Sequence, residues 1–107
     1  KDRIFLNKIF TKKELDYCFS KTDAAHHLAA RFVGKESIFK ALASIGKTKI
    51  NYRDIEIINN KKGVPEVKLN KKNLNILQVN LSLSHCKDKA IAFAVVSATL
   101  SGIRQLQ

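Results

Sequence analysis

Apolar residues open the chain as a cluster, Ile4, Phe5, Leu6, Ile9 and Phe10, which needs a surface to pack against. Thr11-Lys12-Lys13-Glu14 follows. Thr11 can accept from the amide three residues on while Glu14 reaches back to the Thr11 amide, so a capping box starts a short helix. That helix carries Leu15, Cys18 and Phe19 on one side. Thr22 or Asp23 caps a second, longer helix, which runs through Ile45 and stops at Gly46. Its Ala-rich run (Ala24, Ala25, Ala29, Ala30, Ala41, Ala43) favours helix.

The period then changes from helical to alternating. Asp54–Ile58 and Val64–Leu69 read as strands around the turn Asn59-Asn60-Lys61-Lys62-Gly63, a hairpin, with Pro65 at an edge or just outside the ladder. Residues 70–78 read as polar linker with a short helical turn around Leu74–Leu77. Val79, Leu81 and Leu83 alternate with Asn80, Ser82 and Ser84, a half-buried strand. His85–Asp88 is a turn, and Lys89–Ala98 an apolar strand that runs into a weak tail. Helices followed by strands predict an α+β fold, a long helix packed on a small antiparallel sheet. There is no internal repeat, and residues 1–107 read as one domain.

Composition sharpens this picture in three places. No apolar run approaches the roughly 18 residues that span a membrane, so no membrane-spanning segment, and no membrane among the favoured partners, is expected. Two cysteines, Cys18 and Cys86, are too few for a disulfide scaffold and suit a reducing, cytoplasmic setting. The chain contains no Met. Since translation starts with one, the expectation is that a first segment precedes Lys1.

A formal charge of +11 points to a polyanionic partner: nucleic acid, an acidic protein, a membrane surface or a phosphorylated small molecule. The charge is mostly Lys, with Arg only at positions 3, 31, 53 and 104, and there is no Trp. Nucleic-acid readers lean on Arg forks and stacking aromatics, so nucleic acid is disfavoured. A small basic RNA- or ribosome-binding module remains the alternative from another class.

One residue breaks the pattern of the long helix. On a helical wheel Ala25, Leu28, Ala29, Phe32, Phe39 and Ala43 share one arc, and Glu36 falls inside it. Lys40 lies one turn on, while Arg31 and Lys35 lie on the opposite flank. A carboxylate in an apolar stripe needs compensation. Two readings stand: an i,i+4 pair with Lys40, or a ligand for a hard cation such as Mg²⁺ beside phosphate-binding lysines. A second acid is expected for the cation reading. Ser82-Leu83-Ser84-His85 is the other polar cluster, with no nucleophile elbow around it. His26 and His27 are adjacent and face different sides of a helix, and no zinc spacing exists.

These residues carry a resemblance. Arg31-Phe32-Val33-Gly34-Lys35-Glu36-Ser37-Ile38-Phe39-Lys40-Ala41-Leu42 resembles the signature helix of the 4′-phosphopantetheinyl transferases. Phe10-Thr11-x-x-Glu14-Leu15-x-Tyr17-Cys18, Asp54-Ile55-Glu56-Ile57, Gly63-x-Pro65 and Leu81–His85 followed by Ala90-x-Ala92-Phe93 extend it in order. The chain is similar to the small holo-acyl-carrier-protein synthase branch over nearly its whole length.

The resemblance implies transfer of the 4′-phosphopantetheine arm of coenzyme A to a serine of an acidic acyl carrier protein, with release of adenosine 3′,5′-bisphosphate. It further implies Mg²⁺ and a trimer with active sites between subunits. Carried over, Glu36 is a Mg²⁺ ligand and Lys40, with Lys35 more weakly, contacts the coenzyme A phosphates. Ser84 and His85 approach the 3′-phosphate or ribose, and Gly63 and Pro65 shape the nucleotide pocket. Gly34 and Ser37 stand where the family usually has Ala. The family opens with a Gly-x-Asp-Ile-like strand whose Asp is the other metal ligand. Residues 1–107 hold no such segment, and the resemblance places Asp2 beyond that strand, so the expectation is that the piece before Lys1 carries it. A family member incomplete for catalysis is therefore a further expectation to weigh.

Overall fold

A computed structural model describes residues 2–71, 76–85 and 89–98. The opening apolar cluster forms a helix, α1 (Asp2–Ile9), which turns its Ile9 inward and leaves Ile4 and Phe5 exposed. α2 (Lys12–Phe19) begins with the expected capping box: Thr11 Oγ1 accepts from the Glu14 amide at 3.3 Å, and Glu14 accepts from the Thr11 amide at 2.9 Å. Leu15 and Cys18 are buried, but Phe19 stays half exposed under the Arg3 guanidinium, 4.7 Å from its ring centre.

α3 (Ala24–Ser44) has Asp23 at its N-cap position, without a side-chain cap bond. It ends in a Schellman arrangement: Lys47 N–H donates to the Leu42 carbonyl and Gly46 N–H to that of Ala43, both at 2.9 Å. Gly46 takes φ 83°, a left-handed conformation that suits glycine. A 3₁₀ turn (Tyr52–Asp54) leads into β1 (Ile55–Asn59), so Asp54 belongs to the turn and not to the strand.

β1 pairs antiparallel with β2 (Pro65–Leu69), Asn59 opposite Pro65. Asn60 builds the hairpin loop. Its side-chain carbonyl accepts from the Lys62 and Val64 amides at 2.9 and 3.0 Å, with Gly63 at φ 80°. β3 (Ile76–His85) pairs with β4 (Ala90–Ala98). β3 therefore begins inside the segment expected to be linker, and His85 closes it instead of opening a turn. The rest of that linker, 72–75, and of the turn, 86–88, lies outside the described residues. The sheet is two hairpins, β1-β2 and β3-β4, each its own two-stranded ladder, with α3 packed across them. The fold is α+β, as expected.

The expected apolar arc of α3 is not its buried face. Ala30, Arg31, Gly34, Lys35, Ile38 and Leu42 are buried, whereas Ala25, Ala29 and Phe32 are exposed. The reason is steric and electrostatic together. Gly34 lets α3 approach the sheet: a Cβ there would stand 2.9 Å from Ile57 Cδ1 and 3.1 Å from Leu83 Cδ2. Arg31 and Lys35, on that same side, find partners in the interior. Gly34→Leu should therefore destabilise the fold by about 1–3 kcal/mol through overpacking, read from urea unfolding. Gly34→Ala is expected to be near neutral, since its gain in helix propensity offsets the displacement of two flexible methyls.

The Cys18 thiol is a free, buried group that packing pushes above its ordinary 9.0, more than the nearby Arg31 pulls it down. The unfolded thiol thus ionises first as pH rises. Stabilisation from this group is fully present below pH 9.0 and is lost as pH climbs through the higher folded value. The stability gap between wild type and Cys18→Ala should narrow between pH 8 and about pH 10, measured by denaturant midpoints.

Candidate active site

Two regions gather the chemistry. The first lies on the outer side of α3. Glu36 is half exposed there, with its side chain 38% accessible, so it does not sit in a buried stripe. Glu36 Oε1 lies 3.5 Å from the Lys40 ammonium, and Oε2 accepts from the Tyr52 hydroxyl at 3.5 Å. Both contacts are long, which leaves the carboxylate lone pairs free for a stronger partner. Tyr52 packs its ring on Phe32 and Phe39, with centres 5.8 and 5.2 Å apart. Partial burial, then the Glu36 charge, push its phenol above the usual 10.0. Beside it a groove of about 480 Å³ runs between α1 and the 3₁₀ turn, bordered by Asn7, Lys8, Asn51 and Arg53.

The second region is a cavity of about 170 Å³ between α3, the β1–β2 hairpin and β3. Gly63 and Pro65 line it, together with Tyr17, Arg31 and Asn59. Arg31 is almost wholly buried and stacks 4.7 Å from the Tyr17 ring centre. Both of its terminal nitrogens share one acceptor, Asn59 Oδ1, at 3.3 Å. Its Nε is buried with no partner. A guanidinium so under-used, at a cavity wall, is a ready anion donor set.

Glu36 and Lys40 thus come together as expected, and so do Gly63 and Pro65. Lys35 does not join either group. Its ammonium is completely buried, held by Glu14 at 2.7 Å, by the Tyr52 carbonyl at 2.8 Å and by the Ile55 carbonyl. The expected phosphate contact finds no support in this arrangement, since the cation is enclosed and already paired. Burial lowers its pKa below the usual 10.5, with the Glu14 carboxylate opposing. Ser84 is exposed on the face of β3 opposite Leu83, which lines the cavity, so a single chain does not bring Ser84 to Gly63 and Pro65. His85 ends β3, paired with Ala90.

The sequence did not single out Arg31, Tyr17 and Asn59 at the cavity, nor Tyr52 beside Glu36. Arg31 carried a signal in hindsight, a charged residue one turn before Lys35 on what proves to be the buried side. Among the described residues no cluster of three or more His, Cys, Asp or Glu could by itself cage a metal ion. Glu36 nonetheless fits Mg²⁺: it is a hard oxygen donor, accessible and with lone pairs to spare, and Mg²⁺ takes one or two carboxylates and fills its shell with water and phosphate.

The long helix of this α+β fold thus carries a Lys-Glu pair with the cation inward and the carboxylate outward. The chain belongs to the 4′-phosphopantetheinyl transferase superfamily, whose sequence profile matches residues 1–94. Within it the chain is an enzyme of the holo-[acyl-carrier-protein] synthase type. The synthase of Chlamydia muridarum is 45% identical, over 91% of this chain and 79% of its own length. That of Chlorobaculum parvum is 42% identical, over 88% and 80%. The crystal structure of the Helicobacter pylori holo-[acyl-carrier-protein] synthase in complex with coenzyme A superposes with a TM-score of 0.74 at 31% identity, covering 88% of this chain and 82% of that one. The Mycobacterium tuberculosis acyl carrier protein synthase gives 0.73 at 31%, covering 92% and 88%. No described helix is long and apolar enough to cross a membrane.

Proposed function

We propose that this protein, a single transferase domain over residues 1–107, moves 4′-phosphopantetheine from coenzyme A to a serine of an apo-acyl carrier protein. The observation that carries the reading is the exposed Glu36–Lys40 pair on the signature helix of a chain matched by the family over 94 residues. A related synthase bound to coenzyme A supports the choice of donor. In the reaction the carrier serine Oγ forms a bond to the β-phosphorus, the bond from that phosphorus to the adenosine 3′,5′-bisphosphate oxygen breaks, and the serine proton passes to solvent. The Lys40 ammonium, 76% accessible, can meet the charge that develops on the leaving group. Glu36 would hold Mg²⁺, which when bound supplies charge neutralisation to the pyrophosphate oxygens. Arg31, with Gly63 and Pro65 beside it, would take an anionic part of the nucleotide.

Trimeric assembly is part of the proposal. The outer row of β4, Ile91, Phe93 and Val95, is 67%, 69% and 50% exposed, and a second copy of the chain would cover it. Sites between subunits would also let Ser84 and His85 serve a neighbour's pocket. A cytoplasmic location goes with this reading, supported by the free Cys18 thiol.

The test is direct. Incubation with coenzyme A, Mg²⁺ and apo-carrier protein should add one phosphopantetheine to the carrier, read by intact mass, and excess chelator should stop it. An unmodified carrier at high enzyme concentration sinks the proposal. The charge of +11 adds a second expectation. Raising salt from about 50 to 500 mM should lower kcat/KM for an acidic carrier several-fold while kcat changes little, because screening slows steered encounter. A salt-independent kcat/KM would exclude electrostatic steering.

A further inference from the structure

The Lys35–Glu14 pair has no exposed side-chain surface and takes no part in the chemistry above. A buried ion pair is not by itself a route to stability, since apolar side chains of similar volume often do as well. Its hydrogen bonds, however, have a definite destination. The Lys35 ammonium donates to the carbonyls of Tyr52 and Ile55, which bracket the 3₁₀ turn. Glu14 completes the clamp, its Oε2 accepting from the Ile57 amide at 2.8 Å and its Oε1 from the Thr11 amide at 2.9 Å. The turn is thus fastened to α3 at both ends through one side chain.

What the turn carries is Tyr52. Its ring rests on Phe32 and Phe39, four residues before and three after Glu36, and its hydroxyl meets Glu36 Oε2. Lys35 therefore holds the backbone of a residue whose side chain touches the very next position of α3. Oε2 lies toward Tyr52 and Oε1 toward Lys40, each at 3.5 Å, so two weak contacts on opposite sides bias the carboxylate without saturating it.

We propose that the buried Lys35–Glu14 pair, acting through the 3₁₀ turn and the Tyr52 hydroxyl, is a positioning device that presets the rotamer of the Glu36 carboxylate. This rests on the reading of Glu36 as the cation-holding carboxylate. Lys35, Glu14 and Tyr52 are positioning residues and touch no substrate. Presetting matters because a carboxylate free to rotate must be ordered at each encounter, and that ordering comes out of the rate.

Tyr52→Phe, Lys35→Met and a core control, Leu42→Ala, separate positioning from general stability. Two readouts are used on the full chain: kcat and KM for coenzyme A, and the side-chain coupling constants of Glu36 by NMR without ligand or metal. Tyr52→Phe should keep the thermal midpoint, lower kcat by about 2- to 5-fold, the loss of one long hydrogen bond, and leave KM for coenzyme A unchanged. Its Glu36 couplings should average over rotamers where wild type shows one. Lys35→Met should do the same and also melt earlier. Leu42→Ala should melt earlier yet keep the wild-type couplings. A Tyr52→Phe protein with wild-type kcat and a single Glu36 rotamer overturns the proposal, and it decides alone if Lys35→Met does not fold. If wild type transfers nothing, the functional reading fails, while the couplings in the unloaded protein still decide the positioning.

Discussion

Glu36→Gln is expected to leave a folded protein whose transfer rate falls about 10²- to 10³-fold, the usual loss when one group that meets transition-state charge is removed. The fold should survive because Glu36 is half exposed and its two contacts, to Lys40 and Tyr52, are both 3.5 Å long. Gln keeps the volume and one carbonyl oxygen but removes the charge, so a hard cation loses its protein anchor. The loss should appear in kcat/KM for the carrier protein, together with a higher Mg²⁺ concentration for half-maximal rate. Circular dichroism and the thermal midpoint should match wild type. Full activity in Glu36→Gln would show that the carboxylate is only a partner for Lys40.

Lys35→Met carries the largest expected effect on stability, a loss of about 3–5 kcal/mol, because it strands the Glu14 carboxylate in the interior. Glu14 is 1% exposed, and its remaining partners, the Thr11 and Ile57 amides, do not neutralise it. The Tyr52 and Ile55 carbonyls lose their shared donor in the same change. Glu14→Gln should be milder than Lys35→Met, since the amide still accepts from at least one of these groups. The double variant should recover part of the loss, so that the two substitutions are strongly non-additive in a denaturant-based cycle. If they prove simply additive, the pair is not coupled in the way its 2.7 Å separation indicates.

Much of this molecule was legible along the chain. The Thr11–Glu14 capping box, the Gly46 stop and the Asn60–Gly63 hairpin loop are local devices, and each forms as its residue types dictate. The alternation of Val79, Leu81 and Leu83 with Asn80, Ser82 and Ser84 fixes which side of β3 faces α3. The orientation of α3 was not legible. Its residues divide into an arc with more apolar side chains and an arc bearing Arg31 and Lys35, and hydropathy alone selects the first. Burial went to the second, because Gly34 permits close approach, because Glu14 pairs with Lys35, and because Asn59 and the Tyr17 ring receive part of the Arg31 guanidinium. The same rotation turned Glu36 from an apparent core anomaly into an accessible carboxylate.

By itself, then, the sequence determined α2, α3 and the presence of the four strands, the α+β class and the family, since caps, turns and periodicities act over a few residues and signature residues keep their spacing. Only the tertiary structure decided which of two adjacent residues on α3 is structural and which is available for chemistry. Lys35 and Glu36 differ by about 100° around the helix. Which of them meets water depends on partners supplied from α2 and the 3₁₀ turn, and such long-range satisfaction of charge leaves no periodic trace in the chain.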